Sequence, residues 1–396
     1  MAENSSSVPK IRFKGFVDAW TQRKLGDYFN ITSGFAFKMD DYVKTGVLIV
    51  NGESIQHGIV SSNNWSYLPL EFQKKYSSFL LKTDDIVLGL NRPITNGNLK
   101  IAKIPKELND TLLYQRAGKI DFIQEVDKDF SYYVLGAEVK QFVLKEAVGS
   151  DQPFISTTKF KDWSFKIPNK LEQAAIGKFF CTLDEIITAT QRKVTGLKQL
   201  KRAYLQQMFP QAGEKVPRVR FGGFSGDWEI KTIESFADVK TGRKDTQDAI
   251  SSGEYDFYVR SPKIEKINSY SFDGEAILTV GDGVGVGKVF HYVNGKFDYH
   301  QRVYKISDFN DVYGLFFYQY FAANFIKESQ KYNAKTSVDS VRREMITKML
   351  IPCPAIEEQI TIGDFFHNLD TQITAQFEKA EKLKQLKSAY LQKMFI

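Results

Sequence analysis

The chain contains two long stretches in which apolar residues recur at alternating steps of three and four residues. This spacing is typical of a coiled-coil seam, because it keeps the apolar side chains on one face of a helix. Lys201 is the polar exception in the first seam, and the other positions of the second stretch carry Lys, Glu and Gln. We therefore predict two long amphipathic helices. Their seam residues are Leu183, Ile187, Thr190, Val194, Leu197, Tyr204 and Met208 in the first helix and Leu369, Ile373, Gln376, Ala380, Leu383, Tyr390 and Met394 in the second.

Each stretch follows a proline-marked start, Ile167-Pro168 or Ile351-Pro352-Cys353-Pro354, and contains no proline afterwards until Pro210 or the chain end. A helix of 38 residues is roughly 57 Å long at about 1.5 Å per residue, too long for one small domain to cover its apolar stripe. We therefore expect the two helices to pair antiparallel, with a globular domain at each end. A heptad stripe is also compatible with the alternative, in which each helix packs only on its own domain.

The segment before each long helix contains short apolar stretches separated by turn residues, a pattern that predicts strands. Each half then adds an amphipathic helix rich in Tyr, Phe and Val, over residues 130–147 and 313–329. We predict an α+β fold for both halves. The predicted strands are residues 47–50, 85–90, 99–104 and 114–120 in the first half and 257–259, 275–280, 288–292 and 303–306 in the second.

Two internal repeats indicate a tandem duplication. Residues 172–209 recur as 358–395 at a constant shift of 186, with 23 of 38 positions identical, and residues 8–34 recur as 216–242 at a shift of 208. The shifts differ by 208 − 186 = 22, so the enclosed segment is 22 residues longer in the first half. The two halves have similar sequences at their ends and different sequences over residues 35–170 and 243–355. This pattern suggests that both halves share one fold but bind two different targets. The predicted layout is a first globular domain (1–170), a first helix (171–210), a second domain (211–355) and a second helix (356–396), related by a pseudo-twofold axis.

Size and composition restrict the classes of protein that remain. A chain of 396 residues is longer than a domain with a single hydrophobic core usually is, so two domains are expected. The excess of 54 basic over 47 acidic residues, with a pI near 9.0, suits a polyanionic partner but is not unusual. Cys181 and Cys353 lie far apart and none of the four histidines forms a close pair with them, so we expect neither a zinc site nor a disulfide framework. The N-terminus lacks the pattern of a signal peptide and no long apolar segment occurs, so we expect a cytoplasmic protein without a membrane partner.

A short match inside the divergent middles points to candidate binding residues. Gln115-Arg116-x-x-Lys119-Ile120 corresponds to Gln301-Arg302-x-x-Lys305-Ile306, and a turn-forming loop precedes each, at residues 90–100 and 281–288. Asn, Gln and Arg side chains can form paired hydrogen bonds with base edges, whereas lysine and further arginines contact phosphates. The base-reading candidates are Asn91, Arg92, Asn96, Asn98, Gln115, Arg116, Gln301 and Arg302, and the phosphate-contact candidates are Lys100, Arg260, Lys263 and Lys288.

Two alternatives remain open for these residues. Any single basic residue can be an ordinary solvated side chain. The Gln-Arg pairs can instead be structural, with arginine tying strands together through carboxylate or carbonyl groups. The glycine-rich loop 281–288 fits neither GxxxxGK[ST] nor GxGxxG, so we interpret it as a turn between strands and not as a nucleotide site.

The sequence contains little that indicates catalysis. A methyltransferase of base amino groups should carry an Asn- or Asp-Pro-Pro-aromatic stretch, which is absent. Glu138-Val139-Lys140 resembles half of a nuclease motif, but the surrounding apolar positions form a helical face, so we interpret Glu138 as helix surface charge. We therefore expect no catalytic residues and no metal site in this chain.

The duplicated motifs resemble those of the specificity subunit of type I restriction-modification enzymes. The resemblance spans nearly the whole chain. It rests on the openings at Pro9 and Pro217, the Glu-Gln helix starts at 172 and 358, the Leu-Asp-x-x-Ile stretches from 183 and 369, and the Ser-Val-x-Ser at 337–340. The first domain departs from the last motif with Phe-Ile-Ser-Thr-Thr at 154–158.

The resemblance implies two target recognition domains held apart by two antiparallel helices, which read a bipartite duplex DNA site with an unspecified gap. A helix of about 57 Å spans roughly one and a half turns of duplex, so helix length would set the gap. The family also implies two modification subunits that use S-adenosylmethionine, and restriction subunits, with ATP and Mg²⁺ on these partners and no cofactor in this chain. A different class of hypothesis is a non-catalytic coiled-coil scaffold that binds proteins.

Overall fold

The computed structural model describes residues 8–146, 154–331 and 340–395. The chain divides into two compact units, one formed by Met1–Ala189 with Ala380–Ile396 and the other by Thr190–Lys379. Both divisions fall inside long helices, α5 (Lys170–Gln207) and α8 (Ile356–Met394). Each unit therefore contains a portion of both long helices.

The first unit is built on two four-stranded sheets. One has the order β4-β3-β10-β5 and the other β2-β11-β6-β9, and β1 pairs with β12. The strands are β1 (Thr21–Lys24), β2 (Phe29–Ser33), β3 (Val47–Val50), β4 (Tyr67–Leu68), β5 (Leu80–Leu81), β6 (Ile86–Gly89), β7 (Ile94–Thr95), β8 (Asn98–Leu99), β9 (Ile101–Lys103), β10 (Thr111–Leu113), β11 (Ala117–Phe122) and β12 (Ser164–Ile167). The other helices are α1 (Leu25–Tyr28), α2 (Phe72–Lys75), α3 (Lys128–Glu146) and α4 (Thr157–Asp162).

The second unit is built on one six-stranded sheet of order β14-β19-β17-β18-β15-β16, and β13 pairs with β20. The strands are β13 (Glu229–Thr232), β14 (Asp238–Thr241), β15 (Tyr255–Tyr258), β16 (Ile264–Ile267), β17 (Phe272–Val280), β18 (Phe290–Tyr299), β19 (Val303–Ser307) and β20 (Leu350–Cys353). The helices besides α5 and α8 are α6 (Gly314–Gln330) and α7 (Arg343–Thr347).

The two units share their strand connections. The order β2-β11-β6-β9 of the first unit corresponds to β14-β19-β17-β18 of the second, with every neighbouring pair antiparallel. Each unit also contains one parallel pair, β3 with β10 and β15 with β18. Both units are therefore α+β and share this order of four strands. The parallel pair lies in a separate sheet in the first unit and in the same sheet in the second.

Some predicted strands begin or end elsewhere. The predicted strand 114–120 starts only at Ala117, because residues 114–116 form a turn closed by the Ala117 N–H donating to the Tyr114 carbonyl at 2.8 Å. The predicted strand 288–292 starts at Phe290 and continues to Tyr299. The predicted strand 99–104 is interrupted at Lys100, whose N–H donates to the carbonyl of Pro93 at 2.7 Å.

The duplicated glutamates at the starts of the long helices anchor the duplicated N-terminal segments. Arg12 donates to both carboxylate oxygens of the buried Glu172, at 2.6 and 2.7 Å. Arg220 does the same with the buried Glu358, at 2.7 Å to each oxygen. Such bidentate pairs fix geometry as well as charge. The recurrence of the Arg-Phe openings with the Glu-Gln helix starts is thus explained by direct contact.

The long helices pair antiparallel within each unit. In the first unit the ring of Phe179 on α5 lies 5.2 Å from that of Tyr390 on α8, and Lys387 of α8 bonds Asp184 of α5. In the second unit the ring of Tyr204 on α5 lies 5.2 Å from that of Phe365 on α8, and Lys201 of α5 donates to Asp370 of α8. In each unit, residues further along α5 contact residues that come earlier in α8, so the two helices run antiparallel.

The predicted seam faces inward along both helices. The seam residues that are buried are Leu183, Ile187, Thr190, Val194, Met208, Leu369, Ala380 and Met394, and those that are half-buried are Leu197, Tyr204, Ile373, Gln376, Leu383 and Tyr390. The alternative of packing on the local domain is also realised. Ile176 and Phe180 of α5 share a core with Phe130 of α3, and Met394 of α8 joins the same core.

Candidate nucleic-acid interface

The first unit brings its two candidate segments together at the end of β6. The Leu90 N–H donates to the Arg116 carbonyl at 3.0 Å, and the Gln115 N–H donates to the Phe35 carbonyl at 3.1 Å. The turn that carries Gln115 and Arg116 therefore lies beside the loop that begins at Asn91. Sequence separation between these segments is 25 residues, so the strand topology creates this neighbourhood.

The loop after β6 contains a hairpin that the sequence predicted only as a turn. β7 and β8 pair with Thr95 opposite Asn98, and the two residues between them have positive φ, 50° at Asn96 and 75° at Gly97. A two-residue hairpin turn with positive φ at both positions is a type I′ turn, which favours Asn-Gly. Arg92 also has a positive φ of 46°, a conformation that non-glycine residues adopt rarely.

Most candidates of the first unit are exposed to solvent. Arg92, Asn96, Asn98, Gln115 and Arg116 are exposed, whereas Asn91 and Lys100 are half-buried. The Asn98 amide donates to the Asn96 carbonyl at 3.3 Å, and the Gln115 amide donates weakly to the Tyr114 hydroxyl at 3.4 Å. Among the described residues, the guanidinium groups of Arg92 and Arg116 have no hydrogen-bond or ion-pair partner, so they are free to meet a ligand.

The second unit repeats the backbone scaffold of the first. The Gly281 N–H donates to the Arg302 carbonyl at 2.7 Å, as Leu90 does to Arg116, and the Gln301 N–H donates to the Lys244 carbonyl at 2.8 Å. One further strand-like contact also corresponds. Ile155 donates to the Leu90 carbonyl at 2.9 Å, and Val341 donates to the Gly281 carbonyl at 2.7 Å.

These equivalent bonds show that the segment beginning at Phe154 in the first unit corresponds to the segment beginning at Ser340 in the second. Asn91 forms an isolated antiparallel β-bridge with Phe154 in the first unit, and Asp282 forms the equivalent β-bridge with Ser340 in the second. Ser340 ends the Ser-Val-x-Ser motif, whose residues 337–339 lie outside the described residues. The segment from Phe154 therefore stands where the first domain would carry that motif.

The side chains of the second unit are arranged differently, because two carboxylates hold the candidates. Asp282 lies 3.3 Å from Nη1 of Arg260 and 3.6 Å from Nε of Arg302. The Gln301 amide donates to Asp245 Oδ2 at 2.7 Å. The predicted structural role of arginine, a tie to a carboxylate, is thus present here. These three candidates nevertheless remain exposed to solvent.

The two lysine candidates of this unit differ in their surroundings. Lys263 is exposed and lies 2.7 Å from the carboxylate of Glu265 on β16. Lys288 is exposed in the loop before β18, and its ammonium has no ion-pair partner in the described part of the chain. Lys263 therefore brings less net charge to this surface than Lys288.

His300 belongs to this cluster, although the sequence did not single it out. Its Nδ1 accepts the Arg302 N–H at 2.9 Å, which assigns the proton of the neutral ring to Nε2. Nε2 is buried, has no hydrogen-bond partner in the described chain and lies 3.7 Å from Asp245 Oδ1. Burial lowers the pKa of His300, and the nearby Asp245 carboxylate opposes this shift. The one available signal was its position directly before the repeated Gln-Arg pair.

The structure shows that the prediction of Glu138 as helix surface charge is wrong. The sequence predicted helix surface charge, but the side chain is only 5% exposed and accepts a hydrogen bond from Trp163 Nε1 at 2.8 Å. Burial raises the pKa of Glu138, and the Trp163 bond opposes this. The apolar periodicity of the helix could not predict this burial, because Trp163, 25 positions away, covers a face that the helix alone would expose. Within residues 8–146, 154–331 and 340–395, no cluster of His, Cys, Asp and Glu side chains could hold a metal ion.

Among the described residues, none of the helices combines the length and the apolar character that a membrane span requires.

Comparison with known proteins agrees with the duplication. The family model for the type I restriction modification DNA specificity domain matches residues 18–199 and 225–388. The chain is 32% identical over 186 residues to the type I restriction enzyme MjaVIII specificity subunit of Methanocaldococcus jannaschii, covering 46% of this chain and 44% of that protein. It is 25% identical over 195 residues to the EcoAI specificity subunit of Escherichia coli, covering 48% of this chain and 32% of that protein. The alignments thus span less than half the length of these relatives.

Solved structures share the fold over almost the whole length. The S subunit of a type I restriction-modification system from M. genitalium matches with a TM-score of 0.71 at 17% identity, covering 98% of this chain and 99% of that one. A chain from a study of complex assembly and conformational transition of the type I R-M system matches with a TM-score of 0.52 at 15% identity, covering 95% and 97%. The two family matches together cover well over half of the chain. The chain therefore belongs to the family of type I restriction-modification DNA specificity proteins.

Proposed function

We propose that this chain is the sequence-reading, non-catalytic subunit of a type I restriction-modification complex. Each unit reads one half of a bipartite duplex DNA site. The observation that carries the proposal is the repeated scaffold, in which the Leu90–Arg116 and Gly281–Arg302 backbone bonds place matching turns beside loops of different sequence. The two units share a backbone arrangement but expose different polar side chains. This combination fits two domains that recognise different DNA sequences.

The chemistry of the exposed groups supports duplex DNA as the ligand. Asparagine, glutamine and arginine side chains pair with base edges, and basic side chains neutralise phosphates. The excess of 7 positive charges favours a polyanion. The base-reading groups are Asn91, Arg92, Asn96, Asn98, Gln115, Arg116, Gln301 and Arg302, and the phosphate contacts come from Lys100, Arg260, Lys263 and Lys288.

The proposal extends to the long helices and the partners. Helix length sets the number of base pairs between the half-sites, and the polar outer faces of α5 and α8 dock two modification subunits. These subunits supply S-adenosylmethionine and methyl transfer. Restriction subunits supply the endonuclease, with ATP and Mg²⁺. Because chromosomal DNA is the proposed ligand, the complex works in the cytoplasm.

Mapping of methylated positions across the genome tests this function. Cells that express the chain with its modification subunit should methylate one bipartite motif. Replacing residues 35–150 with the corresponding segment of another family member should change one half of the motif and leave the other half and the gap unchanged. A change in both halves together would contradict the two-reader model.

Binding measurements separate this proposal from that of a protein-binding scaffold. The complex should bind motif duplex more tightly than scrambled duplex, and its affinity should fall steeply as salt rises, because each phosphate contact releases counterions. Affinity that does not depend on sequence or salt would favour the scaffold. Methyl transfer by the isolated chain would contradict a non-catalytic role.

A further inference from the structure

Asp282 forms ion pairs with two arginines that come from different parts of the second unit, and Arg260 also donates a hydrogen bond to it. Its Oδ1 lies 3.3 Å from Nη1 of Arg260, which follows β15, and its Oδ2 lies 3.6 Å from Nε of Arg302, which precedes β19. The Asp282 side chain is 25% exposed, compared with 51% for Arg260 and 63% for Arg302. The carboxylate thus lies deeper than the two cations that it holds.

The contacted atoms determine which hydrogen-bond donors stay available. Arg302 turns its Nε toward Asp282, which leaves the Nη1 and Nη2 end of the guanidinium for another acceptor. Arg260 uses Nη1, which leaves Nη2 and Nε. Each arginine therefore keeps two adjacent N–H donors, and the carboxylate limits the rotation of the group.

Two parallel donors match one base edge better than the others. Guanine presents the acceptors O6 and N7 side by side in the major groove, whereas adenine presents N7 beside the N6 amino donor. An arginine held by a carboxylate is pre-organised for guanine, because less side-chain freedom is lost on binding.

On the basis of the proposed function, we infer that the half-site read by the second unit contains guanine, recognised by Arg302 and Arg260. Arg260, proposed above as a phosphate contact, is reassigned here to a base contact because the same carboxylate holds it. Asp282 is a positioning residue that acts through these arginines and does not touch the DNA itself.

The first unit lacks this arrangement. Backbone contacts place Asn91 where the second unit has Asp282, since Leu90 and Gly281 make equivalent bonds to Arg116 and Arg302. No carboxylate in the described chain contacts the Arg116 guanidinium. The orienting carboxylate is thus specific to the second unit and would give the two half-sites different base preferences.

The test uses the assembled complex of the full chain with its modification subunit. The motif is first determined by methylation mapping, and replacement of residues 243–355 identifies the half that the second unit reads. That half should contain at least one G·C pair. Substituting 7-deazaguanine, which lacks the N7 acceptor, at that pair should weaken binding about tenfold or more. Arg302→Ala should abolish this discrimination and leave the other half-site unchanged.

Asp282→Ala separates positioning from simple stability. The variant should lose discrimination between guanine and adenine at that pair while its affinity for scrambled duplex stays the same or rises, since one negative charge is removed. Arg218→Ala is the matched control. Arg218 is also an exposed arginine paired with a carboxylate, Glu214 at 3.1 Å, and its loss should change neither measurement.

The outcomes distinguish this inference from the proposed function. A bipartite motif whose second half lacks guanine would overturn the inference and leave the proposed function standing. Intact guanine discrimination in Arg302→Ala and Arg260→Ala would do the same. The absence of any bipartite motif would overturn the proposed function, and the inference with it.

Discussion

Lys201 on α5 holds both carboxylate oxygens of Asp370 on α8, with Nζ at 2.6 and 2.7 Å. Lys387 on α8 holds Asp184 on α5 at the same two distances. The duplication places each lysine 17 residues after the aspartate of its own helix, since 201 − 184 = 387 − 370 = 17. Antiparallel pairing therefore sets each lysine against the aspartate of the other helix. Parallel pairing would set lysine against lysine, so the pairs select the antiparallel direction.

Replacing Lys201 with methionine should destabilise the second unit. The variant keeps the length of the side chain but leaves the Asp370 carboxylate with Gln319 Nε2, at 2.9 Å, as its remaining described donor. We expect a loss of about 1–2 kcal/mol in the free energy of unfolding, at the lower end for hydrogen bonds to charged groups because the Asp370 side chain is 34% exposed. Urea unfolding followed by circular dichroism measures the loss. The exchanged pair Lys201→Asp with Asp370→Lys should recover part of it.

Lys384→Met is the control for this prediction. Lys384 pairs with Glu381 on the same helix at 2.7 Å, and both side chains are more than 40% exposed. Exposed pairs of this kind contribute little, so the change should stay within about 0.5 kcal/mol. Equal losses in the two variants would show that the Lys201 pair has no special role in joining the helices.

The long helices and their seam were predictable because apolar periodicity is a local property of the sequence. Lys201 was recognised as an exception in the seam, but its partner was not, because the register between two helices is set by packing. The Gln115-Arg116 and Gln301-Arg302 candidates were found from a short repeat. Asp282 and Asp245 were not, because each meets its partners through strand topology. Asp245, for example, bonds Gln301 across 56 positions.

Arg12→Ala should be among the most destabilising changes in the first unit. Glu172 is fully buried, and Arg12 supplies its opposing charge through two short hydrogen bonds. Removing one partner of a buried pair leaves an uncompensated charge, which costs about 3–5 kcal/mol. Arg12→Lys should recover only part of this, because an ammonium cannot form the bidentate contact. Thermal unfolding of the full chain measures both effects.

The neighbouring Lys14 provides the matched comparison. It is exposed and has no ion-pair partner among the described residues, so Lys14→Ala should change stability by less than about 0.5 kcal/mol. A loss from Arg12→Ala no larger than that of Lys14→Ala would contradict the anchoring role of the Arg12–Glu172 pair.

The two duplicated tryptophans should respond differently to the same substitution. Trp20 and Trp228 are each 4% exposed, but Trp20 Nε1 donates to Glu172 Oε2 at 3.2 Å, whereas Trp228 Nε1 has no hydrogen-bond partner in the described chain. Substitution by phenylalanine removes similar volume at both sites. Trp20→Phe also removes a buried hydrogen bond to a charged group, so it should cost about 1.5–3 kcal/mol more than Trp228→Phe. Denaturant unfolding of the two variants gives the difference, and a larger cost at Trp228 would contradict the assignment.

Glu138→Gln should stabilise the protein relative to wild type increasingly as the pH rises above about 4.3, the ordinary glutamate pKa. Because burial raises the pKa of Glu138, the folded state binds more protons than the unfolded state between the ordinary and the raised pKa. Stability therefore falls as pH rises through that window. Glutamine resembles the protonated acid, and its carbonyl oxygen can still accept from Trp163. At pH 8 we expect a melting temperature about 2–4 °C above wild type, which corresponds to roughly 1 kcal/mol.

Melting curves of wild type and Glu138→Gln from pH 4 to pH 8 measure this difference directly. Glu107→Gln serves as the control, because Glu107 is exposed and has no ion-pair partner in the described chain. The melting temperature of this variant should stay within about 2 °C of wild type, as for an ordinary surface substitution. Methylation and restriction by the assembled complex should be unchanged in Glu138→Gln, since the buried carboxylate contributes to stability and not to chemistry. Loss of restriction in a variant that melts at or above the wild-type temperature would instead restore the nuclease hypothesis.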